Sequence, residues 1–359
     1  MTVQPKRSLK IEKLARIYDD EIAPVWGARF GKMLLRNLAV PARGQVLDIS
    51  CATGYPTVEI LRRMSEGSRL IAIDASSAML DVARRKVADL GPLGKKGVFF
   101  RTESAVPKLS FADDVYDLVV CNLGLAEMPN LEIALRDFAR VAKFGGEVRC
   151  TLPLAGTFQE FHDLYREVLI KHDKHDALDR LDDYVARYPT IDQVQRCMRS
   201  ACLDGELVLE DFTLLFKSAR EFFFAPVIEF GPLAEWKEIG GNGQEMQDVF
   251  WYIKEAIDAY FDRRPFQVTV QAGCIIGRKV ASGAIAMPAD LDELTENSVL
   301  PSPPDDLAYG SVRVDDAGDH DVEVIDEDDA EIAIDEGSPE EQELDAFIEG
   351  RKRPSHLIK

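Results

Sequence analysis

Two acids and one turn in the first third of the chain could do chemistry together. Val46-Leu47-Asp48-Ile49 is a short apolar run carrying an acid, and Ser50-Cys51-Ala52-Thr53-Gly54 is a turn of small residues. Small residues let a ligand approach the backbone closely. Asp74 ends the next apolar run, 26 residues after Asp48. An acid there can accept hydrogen bonds from both hydroxyls of a ribose. The pattern predicts an adenosine-containing ligand across the carboxyl ends of the strands. A dinucleotide would rest its pyrophosphate on N–H groups at a helix start. Here there is no G-x-G-x-x-G, Pro56 removes one N–H, and Asp48 is acidic. A cationic sulfonium with an amino-acid tail suits such a turn better than a pyrophosphate.

Those residues need a sheet to hold them. From Gln45 the chain alternates short apolar runs with amphipathic segments. Strands are expected at 45–49, 70–73, 98–101, 116–121 and 147–152, with helices at 57–64, 78–88 and 131–142. That rhythm predicts an α/β fold with a mostly parallel sheet and helices on both faces. After Pro153 the rhythm changes. Helices are expected at 157–173 and 191–201, a strand at 207–215, a helix-rich stretch to Phe261 and a late strand at 266–276. Residues 8–40 read as two helices interrupted at Pro24.

Charge divides the chain. The formal net charge is −20, of which −18 falls in residues 281–359 and only −2 in the first 280. The last segment is rich in Asp, Glu, Pro, Gly and Ser, too polar to offset its ordering entropy, so it is expected to be a disordered acidic tail. Nothing resembles the clustered Lys and Arg that nucleic-acid binding requires. No apolar run is long enough to span a membrane, and the first 20 residues lack an apolar core of a secretory signal. The six Cys form no C-x-x-C pair, so reduced thiols and a cytoplasmic location are expected.

With these residues in view, the chain resembles the class I S-adenosylmethionine-dependent methyltransferases over roughly residues 15–280. VLDISCATG looks like the VLDxGCGTG motif of that family, IAIDASSAMLDVARRK like its ribose-holding segment, and FFRTESAVP like its adenine loop. YDLVVCNLGLAEMPNLEIALRDFARVAKFGGEV looks like the fourth strand through to the turn before the fifth. The resemblance implies a Rossmann-like seven-stranded sheet with helical cap insertions at about 157–205 and 217–262. It implies S-adenosylmethionine as cofactor. Asp48, Ser50, Cys51, Ala52 and Gly54 would form its turn, Asp74 and Ala75 would meet the ribose, and Met79 would lie beneath the adenine. Glu103, Ser104 and Ala105 would edge the adenine, and Asn122 and Leu123 would flank the methionine part. IYDD, with Tyr18, is similar to the family's N-terminal lid, which gives residues 1–40 as a lid and 41–280 as the methyltransferase domain. TLPLAGTFQEF and SAREFFFAPVIEFG weakly resemble ubiquinone/menaquinone-pathway and malonyl-carrier-protein methyltransferases. A small-molecule or carrier-bound acceptor, methylated on oxygen or carbon, follows from that likeness.

The chain departs from the family pattern at four places. Ser50 and Ala52 replace glycines, Phe144 replaces a proline, and Ala126 stands where a His is frequent. Glu127 is then the one candidate general base near the reacting methyl, set against a solvated loop acid. His162, His172 and His175 lie on or after one helix; His172 and His175 could meet on one face, but no third ligand is apparent, so no metal is expected. Trp236, Trp251 and Phe222-Phe223-Phe224 are expected to form the core of the insert rather than a pocket wall. The competing expectation is a degenerate fold that binds protein partners through the acidic tail; Ser50 and Ala52 speak for it, the ordered motifs against it.

Overall fold

The computed structural model describes residues 6–281 except 96, 262 and 263. The expected acidic tail, with its suggested partner-binding role, lies outside the described residues apart from Ala281. The order begins with α1 (Lys6–Ile17), a π-helical turn (Tyr18–Ile22) and α2 (Gly27–Leu35). The strand–helix alternation follows: β1 (Gln45–Ile49), α3 (Tyr55–Arg63), β2 (Arg69–Asp74), α4 (Ser77–Ala88), β3 (Gly97–Thr102), β4 (Tyr116–Asn122), α5 (Leu131–Val141) and β5 (Ala142–Pro153). Then come α6 (Gln159–Lys171), α7 (His175–Ala186), α8 (Ile191–Ser200) and β6 (Leu203–Phe216). Four helices, α9 (Ala219–Phe223), α10 (Pro226–Glu229), α11 (Leu233–Gly240) and α12 (Gln244–Phe261), precede β7 (Phe266–Lys279).

Seven strands form one sheet in the order β3-β2-β1-β4-β5-β7-β6. The first five pair in parallel, and β7 runs antiparallel to both β5 and β6. The order reverses between β1 and β4, so a ligand crevice opens at their carboxyl ends, as in other open α/β sheets. This is a Rossmann-like fold. Period-2 alternation divides the strands' side chains between two layers. Leu47, Ile49, Ile73 and Val119 pack beneath α5 and α8. Val46, Leu70, Leu118 and Val120 pack beneath α2 and α3.

A third apolar core lies outside the sheet layers, among α2, α6, α7, α9, α11, α12 and the outer strands. Phe222, Phe223 and Trp236 are buried at its centre, as expected of insert core, with Trp251 partly buried against it. Helix α7 escaped the sequence reading. Its turns alternate charges with few apolar residues, and only Ala177, Leu181 and Tyr184 are buried. The strand β6 begins at Leu203, so the last residues of the 157–205 stretch are sheet rather than cap helix.

The N-terminal helices are anchored differently. Ala15 of α1 packs on Ala78 and Val82 of α4, and Lys86 pairs with Asp19. Helix α2 is fastened to the sheet itself. Its Phe30 and Leu34 are fully buried, and Arg149 of β5 donates to the carbonyls of Leu34 (3.0 Å) and Arg36 (2.7 Å). Cationic donors at a helix C-terminus satisfy its orphan carbonyls. Among the described residues, no helix is long and apolar enough to cross a membrane.

Candidate active site

The turn after β1 is built from three left-handed residues. Ser50, Ala52 and Gly54 have φ of 54°, 46° and 82°. For Ser and Ala that conformation costs about 1–2 kcal/mol each. The two replaced glycines therefore keep the backbone path of a glycine. The replacement carries a conformational cost in addition to the added Cβ. The cost is offset by fixed contacts. Ala52 N–H donates to Asp74 at 2.8 Å, and Cys51 N–H donates to the Ile73 carbonyl at 2.9 Å. A Cβ on Gly124 would lie 2.3 Å from the Ser50 Cβ, so Ser50 occupies room that Gly124 leaves open. Gly54 has no such freedom: a Cβ there would stand 2.8 Å from the Ala83 Cβ. Cys51 is buried among Ala72 and Leu80, which makes it a filler of the turn.

Pro56 sits in the first turn of α3, whose N-cap is Gly54. Thr57, one residue on, donates its hydroxyl to Asp48 at 2.5 Å. The other Asp48 oxygen is buried without a partner among the described residues. Burial, chiefly, pushes the Asp48 carboxyl up to about 7; the Asp74 charge adds to the rise and the Thr57 hydrogen bond opposes it. Thr57 is a site residue that the sequence reading missed; its only signal was its place in the first turn after Pro56.

Asp74 accepts from two backbone groups, Ala52 N–H at 2.8 Å and Ser76 N–H at 2.9 Å. Each oxygen keeps a further lone pair, as an ionised carboxylate has about four acceptor sites. Its pKa is raised by burial, against those two hydrogen bonds. Ala75 beside it is exposed. Ser76 caps α4 by accepting from Met79 N–H at 3.4 Å, which places half-buried Met79 one turn into that helix.

The loop after β3 is joined to β2 through Glu103 N–H and the Asp74 carbonyl, at 3.0 Å. The Glu103 side chain props its own loop, accepting from Ser110 N–H at 3.0 Å and pairing with Arg101 at 2.7 Å. Ser104 is exposed and accepts from Val106 N–H at 3.1 Å, and Ala105 is half-buried. The backbone of this loop, more than the Glu103 carboxylate, is left to meet a ligand.

At the end of β4, Asn122 is committed at both ends. Its Nδ2 donates to the Gly27 carbonyl at 3.0 Å, and its Oδ1 accepts from Thr151 at 2.9 Å. It thereby ties the start of α2 to β4 and β5. Leu123, with φ of 70°, turns its side chain into the core shared by α2 and the cap. Glu127 closes the short 3-10 turn that follows and is exposed to solvent. Its pKa is nevertheless raised, by desolvation first and then by the Asp74 charge. Phe144 is 64% exposed with Lys279 over its ring, so the residue in place of the family's proline lies on the surface.

Tyr18 lies in the π-helical turn, where Ala23 N–H donates to its carbonyl at 2.7 Å. Such turns recur at functional sites. Burial raises the phenol's pKa most, and the nearby charges of Glu127, Asp74 and Asp19 raise it further. Tyr18, Asp74 and Glu127 therefore share one electrostatic environment although they come from the N-terminal segment, β2 and the turn after β4. Beyond the Tyr18 turn an aromatic wall begins. Trp26 stacks on Phe158 at 5.9 Å and meets Phe212 edge-on at 6.0 Å. No sequence pattern marks this wall, because its members come from three distant segments.

Residues 46–146 match the sequence model of a family described as methyltransferase domain. A curated relative, demethylmenaquinone methyltransferase of Staphylococcus aureus, is 29% identical over 161 residues, which is 44% of this chain and 63% of that protein. The chain thus spans under two thirds of the length of the curated relatives it matches. Among solved structures, YcgJ of Bacillus subtilis is similar at 18% identity with a TM-score of 0.45, covering 70% of this chain and 98% of that one. Geranyl diphosphate C-methyltransferase of Streptomyces coelicolor, solved with S-adenosyl-L-homocysteine, is similar at 14% identity and a TM-score of 0.42, covering 70% and 79%. Within the matched residues lie the turn at 50–54, Asp74, the 103–105 loop and Glu127. Tyr18, Trp26 and the cap lie outside them.

Proposed function

We propose that this protein binds S-adenosylmethionine at the crevice between β1, β2 and β4 and transfers its methyl group to a small-molecule acceptor. The observation that carries the reading is the convergence of the left-handed turn at 50–54 with Asp74. The turn presents backbone at close range, and Asp74 both braces it and keeps free lone pairs for two ribose hydroxyls. The residues fit the cofactor in charge as well: Asp74 and Glu127 are acids at one site, suited to a cationic sulfonium and an ammonium. The bound cofactor supplies an activated methyl group on an excellent leaving group.

The chain's own residues have four tasks. Ser50, Cys51, Ala52 and Gly54 set the backbone path, while Asp74 with Ala75 holds the ribose edge. Met79 supports the adenine from below, and the 103–105 loop borders it. Asn122 and Leu123 fix the end where the methyl leaves, Asn122 by locking α2 to β4. Tyr18 covers the site and helps to exclude water, as closing lids do. Methyl transfer depends mainly on alignment of acceptor and methyl. A base is required only for an acceptor protonated at working pH, and the raised pKa of Glu127 supports it as the candidate for that task.

Carrier-bound acceptors remain in the proposal alongside free ones, with oxygen or carbon as the methylated atom. The likeness to a demethylmenaquinone methyltransferase supports a small-molecule acceptor. The left-handed Ser50 and Ala52 weigh against a degenerate site, because the backbone cradle survives the loss of both glycines. Calorimetric titration with S-adenosylmethionine and S-adenosylhomocysteine tests the reading. Binding in the micromolar range, lost on Asp74→Ala in a folded variant, is expected; no binding by the folded wild-type chain would remove it.

A further inference from the structure

His162 is fully buried, and neither of its ring nitrogens has a hydrogen-bond partner among the described residues. The indole Nε1 of fully buried Trp236 is unpartnered as well. The two rings are neighbours, in an edge-on arrangement with centroids 5.9 Å apart. Aromatic rings surround the imidazole: Phe161 at 6.0 Å, Tyr184 at 5.9 Å, Tyr188 at 6.3 Å and Phe158 at 6.5 Å. Three orphan nitrogens thus share one aromatic box. Native proteins rarely leave buried polar groups unpaired, and clustered exceptions call for a functional explanation.

The box adjoins the site already described. His162 is one helical turn from Phe158, which stacks on Trp26. Trp26 is followed by Gly27, whose carbonyl holds Asn122. Phe158 and Leu123 belong to the same apolar core. A chain of contacts therefore runs from the end of β4, where the methyl would leave, through Gly27, Trp26 and Phe158 to His162.

The chemistry of the box is neutral. Burial, chiefly, lowers the His162 pKa to about 3, and the Arg166 charge lowers it further. A neutral imidazole offers one donor and one acceptor, and the indole offers a donor. Among the described residues no carboxylate is paired with either ring. Such a set matches a hydroxyl or carbonyl, whereas a carboxylate or an ammonium would be desolvated there without a counter-charge.

We propose that His162 and Trp236 are the polar anchor of the acceptor pocket and select a flat, uncharged acceptor through a hydroxyl or carbonyl group. This rests on the methyltransferase reading above. His162 is here a specificity-determining residue, distant from the transferred methyl.

The test uses the full chain saturated with S-adenosylhomocysteine and three probes of one size: 2-naphthol, naphthalene and 2-naphthoate. Calorimetry should show 2-naphthol binding about tenfold more tightly than either other probe, the gain expected of one net hydrogen bond. In His162→Leu that advantage should fall to about twofold or less, while S-adenosylhomocysteine affinity stays as in wild type. The same variant should melt higher, since an apolar side chain replaces unpaired buried nitrogens. His162→Gln, which keeps a donor and an acceptor, should retain most of the preference. A structural histidine would give the stability gain with no change in probe preference, and that result overturns the proposal. Equal binding of 2-naphthol and naphthalene by wild type, tight 2-naphthoate binding, or no probe binding at all would overturn it too. If S-adenosylhomocysteine itself fails to bind, the methyltransferase reading is what has failed, and the anchor falls with it.

Discussion

The cofactor floor and the cap use opposite means to make a site. The floor, at 45–127, is specified by backbone: three left-handed residues, and a carboxylate that accepts from N–H groups of two turns, after β1 and after β2. The cap is specified by rings, with Phe161 and Trp236 only 4.2 Å apart between centroids and Phe222 stacked on Trp236 at 5.9 Å. The floor holds a buried acid, Asp48, and the cap a buried base, His162. In the floor, each residue type follows from a φ angle or a hydrogen bond. In the cap, volume dominates, and several large apolar residues would serve at most positions. The floor can therefore repeat as a motif while the cap varies.

The largest expected effect is in the cap. Trp236→Ala should cost about 3–5 kcal/mol of stability, as other buried aromatic truncations do. Cofactor affinity of the folded fraction should stay within about twofold, because the floor is fixed by its own hydrogen bonds. Asp74→Ala should do the reverse: about ten- to a hundredfold loss of cofactor affinity after partial replacement by water. A small stability loss should accompany it, since Ala52 and Ser76 each lose an acceptor. Denaturant melts paired with calorimetry on both variants check the division. Equal cofactor losses in the two variants would erase the distinction between floor and cap.

That division also explains what the sequence made legible. The places of Asp48, Gly54 and Asp74 could be read because they are dictated locally, by a strand and its end and by a tight turn. The double commitment of Asn122 to Gly27 and Thr151 could not be read, since the three residues come from distant segments and carry no pattern. Glu103 was read as an adenine contact, yet its carboxylate is engaged by Ser110 and Arg101, which lie in its own loop and strand. Trp236 and Phe222-Phe223 were legible as core from their apolarity alone. The orphan nitrogens of His162 were not legible, because unpaired burial depends on five other rings.

Acidity distinguishes the regions by sign. Asp48 has a folded pKa of about 7, raised from an ordinary carboxylate value. The native state then holds a proton that the unfolded chain releases, so this contribution is full below about pH 4 and lost as pH rises through 7. His162 has a folded pKa of about 3, lowered from the ordinary imidazole value. The unfolded chain then takes up a proton first, so stability falls as pH drops below about 6.5. Between pH 5 and 6 each group contributes a slope of about 1.4 kcal/mol per pH unit, with opposite signs. Relative to wild type, Asp48→Asn should gain stability with rising pH over that interval. His162→Leu should gain with falling pH. Urea melts of the three proteins at pH 5 and 6 read the slopes directly. Parallel profiles would mean that neither group is held in the state its burial demands.

The smallest effect separates the two replaced glycines from each other. Ala52 takes φ of 46° with only a methyl group to offset the cost. Ala52→Gly should stabilise the fold by about 1 kcal/mol, because glycine adopts the left-handed region without a Cβ penalty and loses some of that gain to its freer unfolded chain. Ser50 has the same conformation, yet its side chain fills the room beside Gly124. Ser50→Gly would relieve the strain and empty that room together, so its net change should lie within about 0.5 kcal/mol of zero. The Asp74 bond to the residue-52 N–H does not depend on the side chain, so cofactor affinity should hold in Ala52→Gly. If Ala52→Gly instead destabilised the protein as measured by urea midpoint, the methyl group would have to be packing against the turn, and the floor would rest on side chains as the cap does.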